Sequence, residues 1–87
     1  MVEVKRLNEA EIREMGIRNW AIWEKEESRF AHTYDEEEWC YFLEGEVIIE
    51  TDAGNYPIKP GDFVIFHNGL NCVWDIRQAV RKHYLFK

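Results

Sequence analysis

The sequence predicts an all-β fold, an antiparallel sandwich or barrel carrying one short N-terminal helix. Three observations carry that expectation. Between Leu43 and Gly69, short runs rich in β-branched and aromatic residues alternate with turn residues at Glu44-Gly45, Asp52-Ala53-Gly54 and Pro60-Gly61-Asp62. Ser28–Tyr34 and Leu70–Arg77 alternate with a period of two, which is the pattern of a half-buried strand. A helix-start signature stands only near the beginning, where Asn8 precedes Glu11 by three residues and Gly16 follows.

Val2–Lys5 alternates apolar and charged residues and reads as an edge strand. Asn8 caps a helix of about two turns over Glu9–Met15, too short to persist without packing on the β body. Trp20 and Trp23 are a large apolar commitment and are expected to seal the barrel wall or a subunit interface. Phe30, His32 and Tyr34 share one face of the next strand. After Asp35-Glu36-Glu37, the strand Glu38–Leu43 sets Glu38, Cys40 and Phe42 against Trp39, Tyr41 and Leu43, and is expected to be covered on both sides. His67 falls in a turn and is expected to be exposed. Cys72, Trp74 and Ile76 oppose Val73, Asp75 and Arg77. Gln78-Ala79 forms a turn or bulge before the last strand, Val80–Phe86, whose two faces are equally mixed, so its inward side stays open.

Eighty-seven residues make a single domain, 1–87, and 46% hydrophobic residues suffice for one core. A net charge of −6 argues against nucleic acid or an anionic membrane as partner. No apolar run approaches the ~18–20 residues that span a bilayer, and the first residues lack a signal-peptide pattern, so a cytoplasmic protein is expected. Cys40 and Cys72 are then free thiols, packed as small hydrophobes or used as ligands.

The spacing around the central stretch resembles the cupins, small jelly-roll barrels with two sequence motifs. The first is His-x-His, three or four residues, Glu, six residues, Gly. Glu38 lies six residues before Gly45, while His32 and Tyr34 stand at the two His positions. The second is Gly, five residues, Pro-x-Gly, two residues, His. Here Gly61 is followed after five residues by His67-Asn68-Gly69, and Cys72 stands at the final His position. The resemblance covers Phe30 to Trp74. Trp20…Trp23-Glu24 and Val80-Arg81-Lys82-His83-Tyr84 look like the single-domain cupins grouped with ureidoglycine aminohydrolase and the ethanolamine-utilisation proteins.

The resemblance implies a cupin-type double-stranded β-helix and a homodimer. It also implies one divalent metal (Zn, Mn, Fe or Ni) at the positions of His32, Tyr34, Glu38 and Cys72, with His32, Glu38 and Cys72 the chemically suitable donors. It further implies hydrolysis of a C–N bond or an isomerisation. Read from the residues themselves, Glu38, His32 and Tyr34 are the catalytic candidates, as acid–base groups and hydrogen-bond donor. Phe30, Cys40, Phe42, Phe66, Cys72, Trp74, Lys82 and Tyr84 are the candidate lining of a pocket for a small polar metabolite. Each has a plainer reading. Glu38 is equally a carboxylate partnered by His32 or Lys82, the cysteines are inert packing thiols, and Lys82 is more often a surface lysine. A metal-assisted hydrolase or isomerase, a metal-free ligand-binding or sensing module, and a purely structural barrel all remain open.

Overall fold

The computed structural model describes residues 1–87. Seven strands and one α-helix follow in the order β1 (Val2–Arg6), α1 (Glu9–Met15), a 3-10 turn (Ile17–Asn19), β2 (Ala21–Lys25), β3 (Ser28–Thr33), β4 (Glu38–Thr51), β5 (Gly54–Ile58), β6 (Asp62–Phe66) and β7 (Asn71–Phe86). All pairings are antiparallel. The sheet runs β1-β6-β4-β7-β2, with β5 added on β4 and β3 on β7. This is the β-rich barrel architecture that the sequence predicts.

The scaffold rests on β4 and β7, which pair with each other along most of their lengths. The first part of β4, Glu38–Tyr41, pairs with β6, and its last part, Val47–Thr51, pairs with β5. In the same way β7 takes β3 on Asn71–Ile76 and β2 on Val80–Tyr84. Two positions expected to break the chain therefore do not. Glu44-Gly45 and Gln78-Ala79 lie inside these long strands, where the register shifts between Phe42 and Val47. The bulge reading of Gln78-Ala79 holds, and the turn reading of Glu44-Gly45 is corrected. A bulge bends a strand without ending it, and Gly45 accepts the necessary φ of +102°.

The barrel core joins Phe42, Val47, Ile49, Ile58, Val64, Phe66, Trp74 and Ile76 from β4, β5, β6 and β7. A second, smaller cluster lies on the outer face. There Ile12 and Ile17 cover Phe63 and Ile65, with Trp20, Trp39 and Tyr41 packed around them. Both faces of the start of β4 are thus covered, as its two apolar sets require. The helix begins as expected: Asn8 and Glu11 form a reciprocal capping box, and Gly16 closes the end at φ +67°. The two tryptophans separate. Trp23 turns into the barrel against Trp74, while Trp20 joins the outer cluster.

His67 is not exposed. Its ring is half-buried between two carboxylates, with Nε2 2.5 Å from Glu3 Oε2 and Nδ1 3.1 Å from Glu37 Oε1. That link ties β1 to the acidic loop before β4. No helix is long and apolar enough to cross a membrane.

Candidate functional site

The alternation of β7 sets Cys72, Trp74, Ile76, Val80 and Lys82 on the buried side, so Lys82 enters the barrel and is not a surface lysine. Its neighbours across the ladder are Phe42 on β4 and Trp23 on β2. From there the side chain runs along β4, past Cys40, to the strand's first residue. Lys82 Nζ donates to Glu38 Oε2 at 3.0 Å and to Cys40 Sγ at 3.1 Å. The Lys82 and Glu38 side chains are only 4% and 7% exposed. The rings of Trp74, Trp23 and Tyr84 stand 4.9, 5.1 and 5.7 Å from Nζ. A buried carboxylate needs a partner, and between the two sequence alternatives it is Lys82.

This pair lies at the floor of a cavity of about 230 Å³ at the barrel mouth. Trp23, Phe30, Trp74, Tyr84 and Phe86 supply apolar walls, and His32, Tyr34, Glu38 and Lys82 the polar groups. Phe30 stacks on Trp74 at 6.1 Å, and Trp23 meets Trp74 edge-on at 5.7 Å. His32, exposed at the rim, packs edge-on against Tyr34 at 4.4 Å. Tyr34 lies flat against Phe66 at 5.0 Å.

Of the eleven residues singled out from sequence, His32, Tyr34, Glu38, Phe30, Trp74, Lys82 and Tyr84 meet at this cavity. Cys40, Phe42, Phe66 and Cys72 do not line it. They share its inward parity, but Phe42 and Phe66 are consumed by core packing and Cys40 lies beneath Lys82. Cys72 donates to the His32 carbonyl at 3.6 Å and borders a shallow groove with Asp52 and Asn71. Trp23, expected in the barrel wall or an interface, and Phe86 complete the lining. Phe86 shares the parity of Lys82 and Tyr84, so its signal was present once the inward face of β7 was known.

Electrostatics set the protonation of the floor. Burial pushes the Cys40 thiol up to about 12 against the lowering effect of Lys82. Burial also raises the Cys72 thiol to about 11, with Glu38 adding to it. The Tyr34 phenol is raised by burial first and by the Glu38 charge next. Burial would pull the Lys82 ammonium down, but Cys40 and Glu38 override it and its pKa is raised. The Cys40 thiol therefore keeps its proton near neutral pH.

The EutQ-like cupin domain family model matches residues 12–84 of this sequence. The chain belongs to that family. This cupin is similar over its whole length to a DUF861 family protein from Thermotoga maritima, with 41% identity, 100% of both chains covered and a TM-score of 0.96. It is also similar to the EutQ protein of Clostridium difficile, at 19% identity and a TM-score of 0.70, covering 98% of this chain and 66% of that one. A putative ethanolamine utilization protein Q from Salmonella typhimurium gives 18% identity and a TM-score of 0.69, with 98% and 68% covered. The last two likenesses concern the fold alone. No curated protein matches this cupin.

The metal that the cupin resemblance implies does not fit the side chains present. No three His, Cys, Asp or Glu side chains converge on one point. A Glu38 oxygen accepts from Lys82, the thiols hold their protons, and His32 sits at the rim.

Proposed function

We propose that the barrel mouth of this cupin binds one small polar metabolite with a flat apolar part, and that it does so without metal. The observation that supports this reading is the Glu38–Lys82 pair buried beneath aromatic walls. The cavity's volume of about 230 Å³ lies below the roughly 300–1,000 Å³ of pockets for drug-sized ligands, which favours a small molecule. Trp74 and Phe30 offer faces for a planar group. Lys82 has three N–H groups, of which Glu38 and Cys40 take two, leaving one for a ligand oxygen. Glu38 and Tyr34 add an acceptor and a donor. If the site is catalytic as well, Glu38 and His32 are its proton carriers and Tyr34 its hydrogen-bond donor.

A panel of small carboxylates, amides and sugars, read by thermal unfolding and by tryptophan fluorescence, tests this. A ligand at a hundred times its dissociation constant stabilises the native state by about 2.7 kcal/mol. The shift should vanish in Glu38→Gln. Silence from every compound at millimolar concentration would leave only the structural reading of the barrel. The metal-assisted hydrolase or isomerase reading has no observation in its favour comparable to the buried pair.

A further inference from the structure

The mismatch between the barrel interior and a divalent metal has a chemical cause. The one position that matches the cupin motif as a charged ligand, Glu38, gives an oxygen to an ammonium instead. We propose that the Lys82 ammonium is the resident cation of this barrel, held in the place of a divalent metal by the carboxylate that would otherwise ligate one. This goes beyond the ligand reading and does not depend on any ligand.

Four features carry the proposal. First, Lys82 Nζ is within 3.1 Å of both Glu38 Oε2 and Cys40 Sγ, the oxygen and sulfur donors nearest the floor. A metal taking those atoms would have to displace the ammonium or sit beside it. In a water-poor interior, the repulsion between like charges is severe. Second, the surroundings suit an ammonium: three aromatic rings stand 4.9 to 5.7 Å from Nζ, within reach of cation–π attraction. Third, the remaining donors do not converge, since no three His, Cys, Asp or Glu side chains meet at one point. Cys72 turns its Sγ to the His32 carbonyl at 3.6 Å, and His32 is exposed at the rim. Fourth, Lys82 is tethered to the chain. Its charge is present in every folded molecule, whereas a metal must be captured from solution against its hydration.

The consequence for chemistry is a weaker, fixed electrophile. An ammonium attracts a ligand oxygen as a point charge with one free N–H, and has no coordination shell to exchange. Ligand binding in this barrel should therefore survive chelators and fail when the Lys82 charge is removed.

Cobalt(II) is the probe that tests this, because its visible absorption reports ligation directly. Wild type, Lys82→Arg, Lys82→Ala and Lys82→His are titrated with Co²⁺ and with Zn²⁺, dialysed, and assayed for bound metal, with circular dichroism to establish folding. Wild type and Lys82→Arg should retain only substoichiometric metal. Lys82→Ala and Lys82→His, which free Glu38, should bind at least ~10-fold tighter. Wild type holding one equivalent of metal overturns the proposal, and that arm requires no variant to fold. Folded Lys82→Ala and Lys82→His binding no better than wild type also overturn it, as does Lys82→Arg binding as tightly as Lys82→Ala. No organic ligand enters this titration, so its failure and a failure of the ligand panel are separate results.

Discussion

Lys82 and Glu38 show how two residues divide the work of one site. Neither charge is tolerable alone in the barrel, because removing one member of a buried pair leaves the other uncompensated. Lys82→Met or Glu38→Gln alone should each cost about 3–5 kcal/mol in urea unfolding. The double variant Glu38→Leu/Lys82→Met should cost less than either single change, since an apolar pair of similar volume needs no hydration. A double variant as destabilised as the sum of the singles would mean that the pair is not energetically coupled. This pairing was half legible in the sequence. Glu38 announced itself as a carboxylate on an inward face, and Lys82 stood among its possible partners. What concealed the choice was the mixed composition of Val80–Phe86, where each face offers both apolar and basic residues. The burial of Cys72, Trp74 and Ile76 and again of Val80 and Lys82 resolves it, because the same parity resumes after the exposed irregularity at Gln78-Ala79.

At the scale of elements, local chemistry was readable wherever the responsible atoms are close in sequence. The capping box of α1 is an example, with Asn8 and Glu11 three residues apart. The 3-10 turn at Ile17–Asn19 and the long strands β4 and β7 were not readable, since distant partners decide them. Gly45 is the instructive case. As punctuation it looks like a turn, yet β7 holds it within a strand, and a Cβ there would meet the Ala79 carbonyl and lie 2.7 Å from Val80 Cα. Gly45→Ala should destabilise by about 2–4 kcal/mol through backbone clash and the unfavourable positive φ. A lower urea midpoint with an unchanged slope is the expected signature. The link between β1 and the acidic loop makes a second prediction. The hydrogen bond with His67 holds the Glu3 carboxyl below its usual 4.5. The folded state thus binds that proton less readily than the unfolded one. Its stabilisation is present above about pH 4.5 and is lost as the pH falls through the lowered value. Thermal unfolding of Glu3→Gln between about pH 6 and about pH 3 should show a shallower acid loss than wild type. Identical slopes would mean that the contact contributes nothing.

For the whole molecule, turn spacing identified the barrel, and strand parity identified the face that looks into it. Parity could not separate residues that line the cavity from residues that fill the core. Phe42 and Phe66 point the same way as Phe30 and Trp74, and only the depth of each along the barrel distinguishes them. The expected homodimer belongs to this scale. β1 ends the sheet with its outer edge unpaired, and Val4 on it is 41% exposed. An open edge invites pairing with another strand. Sedimentation should show a dimer that Val4→Lys weakens, and a monomeric wild type at micromolar concentration would remove the expectation.

The sharing of β4 and β7 by both halves of the barrel has a consequence for motion. The β4–β7 ladder cannot open without disturbing the partners that both strands hold, whereas the edge strand β1 is held by β6 alone. The β4–β7 ladder is therefore the cooperative centre, and its amides should exchange with deuterium only when the whole chain unfolds. Glu38 opens β4 and Lys82 lies near the end of β7. The floor of the cavity thus belongs to that centre, and its Glu38 and Lys82 amides should be among the slowest to exchange.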